Sequence, residues 1–269
     1  MSALPSLHDV LRDARLPAGS HLTRVVESEA ARIAGLNIAP APQRTIDARF
    51  EKALRDTKSR NGGAVIAEFK RASPSLGPFA ADRDFDTQLQ AYRDGGAAAV
   101  SILAEPALFQ GSADEVRAGK RYGMPRLYKG FVLDARHLDE AATAAQADAV
   151  LLIARVLGKH TAAFADAARE RGLEPLVELH ELGEIPFARD SGATLVGINA
   201  RDLASFAIGA PTADPLREAF PDAVLIRESG LSTPEDARAA FAQGFDTVLI
   251  GEALMRSNDP VAFLQACRT

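Results

Sequence analysis

Tryptophan is absent from the 269 residues, cysteine occurs once and tyrosine three times. The one cysteine, Cys267, excludes an internal disulfide, argues against a cysteine nucleophile and fits a reducing cytosol. No run approaches the roughly 20 apolar residues of a membrane span. The opening residues lack the charged and apolar regions of a secretion signal, so a cytoplasmic protein is expected. Long basic runs are also missing, and the net charge is -5. That balance offers no electrostatic footprint for nucleic acid or an anionic membrane, so an anionic ligand would have to be held by a local site. Five histidines are present, His8, His21, His137, His160 and His180. They are scattered, and His180-Glu181 lacks a second His four residues on; solvated surface histidines and no metal site are expected.

What the chain does have is a hydrophobic content of 47%, enough for one large core. From Ala64 onward, short apolar runs alternate with longer stretches of helical period, the mark of repeated βα units. Eight strands are predicted: Ala64–Phe69, Ala98–Leu103, Arg126–Lys129, Ala149–Ile153, Pro175–Glu178, Leu195–Ile198, Val224–Arg227 and Thr247–Ile250. Helical stretches such as Asp86–Asp94, Thr161–Arg171 and Pro234–Gln243 lie between them, the last opened by a Ser232-Thr233-Pro234 cap. Eight such units imply an α/β protein, a closed (β/α)8 (TIM) barrel. A doubly wound open sheet is the competitor, but the first strand is not followed by a G-x-G-x-x-G turn.

Residues 1–60 fall outside that repeat and read as an N-terminal helical extension, with the barrel over 61–269. Leu22, Val25, Val26, Glu29 and Ile33 follow helical spacing, as do Ile46, Phe50, Ala53 and Leu54. Two amphipathic helices separated by Pro40-Ala-Pro42 are therefore expected before the barrel. They could cap its base or overhang its mouth.

The densest chemistry sits in Val65-Ile-Ala-Glu-Phe-Lys-Arg-Ala-Ser-Pro-Ser75. Side chains alternate along a strand, so Ile66, Glu68 and Lys70 share one face. Two opposite charges thus point inward where the strand ends, and burying ions is costly unless they are paired. A structural Glu/Lys pair is the plainer alternative. The other strand ends argue for more: Lys129 closes strand 3, Glu178 strand 5, Asn199 and Arg201 strand 6, Glu228 and Ser229 strand 7. Barrel chemistry sits at the C-terminal ends of the strands, and mixed charges converging there make an acid/base site. Ser229-Gly230 after strand 7 and Gly251-Glu252-Ala253 after strand 8 mark a phosphate site, to which Ser73 could add a hydroxyl.

On these residues the chain resembles the indole-3-glycerol phosphate synthases. The resemblance rests on Ile66-Ala-Glu-Phe-Lys-Arg-Ala-Ser-Pro-Ser75. It continues through Val100-Ser-Ile-Leu103, Phe109-Gln-Gly-Ser112, Lys129 with Phe131, Leu151-Leu-Ile153, Leu176-Val-Glu-Leu-His180, Gly197-Ile-Asn-Ala-Arg-Asp-Leu203, Glu228-Ser-Gly230 and Leu249-Ile-Gly-Glu252. It implies ring closure of 1-(2-carboxyphenylamino)-1-deoxyribulose 5-phosphate, with loss of CO2 and water and no cofactor. In that reaction Lys129 matches the general acid, and Glu178 and Lys70 match the base and acid of dehydration. Glu68, Glu228, Asn199 and Arg201 would orient the lysines and the substrate. Phe131 and Leu151 would face the aromatic ring, while Ser73, Ser229, Gly230, Gly251 and the backbone at Glu252 would hold the phosphate. A small-molecule phosphate, no nucleic acid or membrane, and a monomer are the partners expected.

The chain departs from the family pattern at several places. Gly130 stands where Asp is common, Ala104 where Thr is usual and Ala200 where a second Asn is common. His137 lies near a customary Gln, and Arg227 stands where a small residue is usual. Arg227 alternates away from the mouth, so a helix-facing ion pair is expected of it. Two rivals remain in view. A phosphoribosylanthranilate isomerase would want a Cys at a strand end, and Cys267 is at the tail. A catalytically silent phosphate-binding barrel draws on Gly130. Because no metal-ligand spacing is found, treatment with a chelator should leave turnover unchanged; a loss restored by added divalent metal would contradict this.

Overall fold

The computed structural model describes residues 4–14, 16, 19–74, 76–200 and 212–269. Eight parallel strands form a closed barrel. They are β1 (Ala64–Phe69), β2 (Ala99–Leu103), β3 (Arg126–Lys129), β4 (Ala149–Ile153), β5 (Glu174–Leu179), β6 (Leu195–Asn199), β7 (Val224–Glu228) and β8 (Thr247–Ile250). Each pairs with the next in chain order, and β1 closes on β8 with Ile66 opposite Leu249. Every residue of β1, β2, β4, β5 and β8 is buried, as parallel strands covered on both faces should be. β6 and β7 run one residue past their apolar patterns because polar Asn199 and Glu228 still pair with each other in the ladder.

Three helices precede the barrel: α1 (Leu7–Asp13), α2 (His21–Ala34) and α3 (Arg49–Asn61). After β1 follow α4 (Phe85–Gly95), α5 (Ala113–Ala118), α6 (Ala135–Ala142), α7 (Ala154–Leu157), α8 (Thr161–Glu170), α9 (Ile185–Asp190), α10 (Asp214–Ala219), α11 (Pro234–Ala242), α12 (Glu252–Arg256) and α13 (Pro260–Ala266). The sequence pattern, with two helices expected, missed α1. That helix is only seven residues long with Val10 as its buried residue, so its nucleus rests on the Ser6/Asp9 capping box rather than on an apolar stripe. Ile46 also lies outside its expected helix, which begins at Arg49.

The two longer leading helices serve opposite ends of the barrel. α3 closes the base. Its N-cap, Ala48, has no side chain that can accept a hydrogen bond, and the Glu174 carboxylate at the start of β5 takes that role from the N–H groups of Phe50 (2.6 Å) and Glu51 (2.8 Å). Lys58 and Arg49 of the same helix pair with Asp246 and Asp148, both just ahead of barrel strands. α2 instead overhangs the mouth, where His21, Leu22 and Val25 line the cavity between the strand ends.

A buried polar network fixes α2 in that place. The Arg32 guanidinium donates to Glu29 on its own helix and, through two bonds of 2.9 Å, to both carboxylate oxygens of Glu140 on α6. Glu140 also accepts from the Tyr128 hydroxyl at 2.6 Å, and Glu29 faces His137 Nε2 at 3.1 Å. His137 Nδ1 accepts from the Leu133 N–H, which puts the ring proton on Nε2 and makes it a donor to Glu29. Arg32 thus bridges two buried carboxylates, Glu29 and Glu140. Replacing it with Met removes the guanidinium but keeps most of the stem, and breaking a buried pair costs about 3 kcal/mol or more. Arg32→Met should therefore lower the midpoint of urea unfolding clearly; an unchanged midpoint would show that the network adds nothing.

Candidate active site

The C-terminal ends of the strands surround a cavity of about 600 Å³. Glu68, Lys70, Lys129, Glu178, Asn199 and Glu228, expected from the sequence to share a site, all line it. Lys129 is the centre of the group. Its Nζ lies 3.0 Å from Glu228 Oε2, 3.4 Å from Glu68 Oε2 and 4.0 Å from Glu178 Oε2. Lys70 Nζ donates to Glu68 Oε1 at 2.7 Å, Ser101 Oγ to Glu68 Oε2 at 3.3 Å, and Asn199 Nδ2 to Glu178 Oε2 at 3.3 Å. One strand-end ammonium therefore ties together three strands on opposite sides of the barrel.

The same burial acts differently on each acid. For Glu68 it opposes ionisation, but the Lys70 and Lys129 ammoniums outweigh it and hold the carboxyl down at about 2. Glu178 is raised above its ordinary value, burial exceeding the pull of Lys129. Glu228, the most enclosed, is pushed up to about 8 by burial and by the neighbouring Glu178, against the opposing pull of Lys129. Burial alone would discharge Lys129, yet Glu228, Glu68 and Glu178 together raise it above its ordinary value. At neutral pH Glu68 is therefore ionised, Lys129 charged and Glu228 protonated, so groups of opposite proton demand meet in one cavity.

Two glycines make room for these carboxylates. A Cβ at 197 would stand 2.3 Å from Glu228 Oε1, and one at 251 would stand 2.6 Å from Glu68 Oε1. Gly251, expected at the phosphate, is thus required by the acid cluster. Next to it, Ser229 and Gly230 are consecutive left-handed residues with φ of 63° and 70°. For a serine that conformation costs about 1 kcal/mol or more and is typically kept where a ligand site demands it. Ser73, Ser229, Gly230, Gly251 and Glu252 border the cavity together. The Glu252 carboxylate pairs with Arg256 at 3.0 Å. Arg201 lies outside the described residues.

Apolar residues form the rest of the wall, with Phe131 and Leu151 among them as expected. Phe109, expected only as part of a motif and not as a site residue, joins Phe131 at a ring separation of 6.0 Å. Its loop is held by Glu105, which accepts from the N–H groups of Ala107, Leu108 and Phe109 at 2.7 to 3.0 Å. Leu103, Leu231 and the α2 residues His21, Leu22 and Val25 were also missed. Apolar residues near strand ends carry no local signal, since core and cavity wall want the same side chains.

The departures at 130, 137 and 227 now have physical readings. A Cβ on Gly130 would meet the Tyr128 ring at 2.7 Å, and that ring is pinned by Glu140, so glycine is what this strand end accommodates. The side chains of His137 and His180 are buried, contrary to the expectation of solvated surface histidines, because one joins the Glu29 network and the other packs behind Glu178. Arg227 meets the amide oxygen of Gln243 at 3.2 Å rather than a carboxylate, so the expected ion pair is replaced by a neutral partner.

Among solved structures, a thiamine phosphate pyrophosphorylase from Pyrococcus furiosus superposes with a TM-score of 0.55 over 78% of this chain and 95% of that one. At 17% identity this likeness speaks for the barrel fold alone. Sequence relatives are far nearer. An indole-3-glycerol phosphate synthase of Desulfosudis oleivorans is 39% identical over 91% of this chain and 92% of its own. The corresponding protein of an Exiguobacterium species is 31% identical over 93% and 97%, and an indole-3-glycerol phosphate synthase 2 of Streptomyces coelicolor is 42% identical over 78% and 81%. The family model for indole-3-glycerol phosphate synthase matches residues 21–267, from the helix over the mouth to the last helix, and the chain belongs to that family.

Proposed function

We propose that the Lys129-centred cluster carries the chemistry of the family, with Lys129 as the first general acid. The chain acts as an indole-3-glycerol phosphate synthase, a carboxy-lyase of tryptophan biosynthesis working on a phosphorylated small molecule. The observation that supports the assignment is the Lys129 ammonium held among three carboxylates at the floor of a cavity whose wall is aromatic and aliphatic. The aryl ring of the substrate attacks the ribulose carbonyl carbon, a C–C bond forms, and Lys129 gives its proton to the carbonyl oxygen. CO2 then leaves and its bonding pair returns to the ring. In the last step Lys70 protonates the departing hydroxyl and Glu178 takes the proton released from the ring system, so that water is lost. Each such proton transfer is worth about 10²- to 10⁴-fold in rate.

Glu68, ionised and gripping both lysines, sets their positions, and Asn199 orients Glu178. Glu228 lies closest to Lys129 and returns a proton to it between steps. Phe131 and Leu151 receive the aromatic ring. Ser73, Ser229, Gly230, Gly251 and the Glu252 backbone hold the phosphate, and Arg201, on the resemblance, orients the substrate's polar groups. The silent-barrel reading loses its support, because Gly130 is explained by Tyr128 and all six proposed catalytic residues converge. We read residues 1–60 as an extension packed on a 61–269 barrel, acting as a monomer in the cytoplasm. In favour of the packed extension, α2 and α3 clasp the barrel at both ends; the buried cysteine fits a reducing compartment. Among the described residues no helix is long and apolar enough to cross a membrane.

Because the chain has no tryptophan, indole fluorescence of the product rises over a low background. Given the substrate, the protein should show a saturable rise, and Lys129→Met should cut kcat by about 100-fold or more. A variant with wild-type turnover would overturn the acid assignment. The raised carboxyl of Glu228 makes a second prediction. Folded Glu228 keeps its proton up to about pH 8, while the unfolded chain has lost it, so folding stability declines as pH rises towards 8. His180, lowered to about 4 by burial, affects stability only below its ordinary 6.5, and Lys129 stays charged throughout. Between pH 6.5 and 8, wild-type stability should therefore fall while that of Glu228→Gln changes less; parallel curves in urea titrations would contradict the assignment.

A further inference from the structure

We infer that His180 is a positioning residue for Glu178, holding the second oxygen of the carboxylate proposed as the base. The inference rests on that proposed role. Glu178 lies in β5 and His180 is the first residue past its end, two positions on, and their side chains meet. The His180 side chain is 1% exposed, and its Nε2 stands 3.4 Å from Glu178 Oε1. Among the described residues neither ring nitrogen has a hydrogen-bond partner. A buried imidazole left unpaired calls for an explanation, and the nearby carboxylate supplies one.

The backbone beneath the ring is fixed. The His180 N–H donates to Glu184 Oε2 at 2.7 Å, and Arg155 Nε donates to Glu184 Oε1 at 2.8 Å. Arg155 also pairs with Glu181 at 3.0 Å, so His180 is flanked by a rigid ion-paired turn. Neutral imidazole carries a single N–H, and with the proton on Nε2 it is a donor aimed at Glu178. Glu178 Oε2 is already held by Asn199 and faced by Lys129. A small rotation of either side chain completes a two-point grip, Asn199 on one oxygen and His180 on the other, with protonated Glu228 also bonded to the carboxyl. Catalytic hydrogen bonds are often long in an unliganded site and tighten with the substrate bound.

The groups that bear on this pair come from every surrounding strand end: Lys129 from β3, Glu228 from β7 and Glu68 from β1, with Arg155 and Glu184 beside the ring. A donor that favours the ionised carboxylate lowers its pKa, so losing it moves the acid limb of the kcat profile to higher pH. The test compares kcat, KM and the pH profile of the wild type with His180→Leu, His180→Gln, His180→Asn and Glu178→Gln. His180→Leu should lower kcat by between about ten- and a hundredfold with KM little changed, and raise the acid limb. His180→Gln, whose amide nitrogen stands where Nε2 does, should restore much of both; His180→Asn, which reaches only the Nδ1 position, should not. If His180→Leu does not fold, the contrast between Gln and Asn decides. Equal behaviour of those two, or a Leu variant with wild-type kcat and acid limb beside a Glu178→Gln variant that has collapsed, overturns the inference. A Glu178→Gln variant with full turnover would instead remove the base assignment itself.

Discussion

The rest of the site depends on burying one ammonium, Lys129, among carboxylates from three other strands. None of these charges would be tolerated alone at this depth, because each loses hydration that only the others replace. Lys129 keeps Glu68 ionised, Glu68 in turn positions Lys70, and Glu228 is left holding a proton because the two lysines cannot satisfy three carboxylates. Gly197 and Gly251 follow from the same need, since a methyl at either place would occupy the space of a carboxylate oxygen. The floor of the barrel mouth is thus a single electrostatic unit, and its chemistry comes from the unequal burial of like groups.

Around that unit the fold provides two kinds of support. At the base, α3 borrows the Glu174 carboxylate as its cap and pairs with Asp148 and Asp246, so the bottom of the barrel is closed by ion pairs and backbone bonds. At the mouth, α2 is locked through Arg32 and Glu140 to Tyr128, the residue before Lys129. The wall over the cavity and the strand that carries the central lysine are therefore linked through one buried network. Tyr128 is also what makes Gly130 the residue of fit, so the departure from the family pattern follows from the same network.

Much of this was legible in the sequence, and for identifiable reasons. Buried parallel strands separated by helices leave a period that local reading detects, and β1, β3, β4 and β8 have the expected bounds. Charged residues ending apolar strands stand out, which is why Glu68, Lys70, Lys129, Glu178 and Glu228 were found and do meet. Residues whose role depends on contacts distant in sequence left no such mark. Glu105 reads as an ordinary loop acid until its three backbone bonds are seen, and His137 and His180 read as surface groups until their burial is known. α1 was missed because seven residues are too few to show a period.

By itself the sequence determined the barrel and the ionisable groups at its strand ends, since alternation along strands and strand-end charges are local properties; the reaction came from the resemblance of its motifs to the family. Only the tertiary structure decided how those groups divide their protons, which helix covers the mouth and which closes the base, and why glycine stands at 130. Each of these depends on distances between residues far apart in the chain, where burial and a neighbour's charge, not the residue's own chemistry, set the outcome.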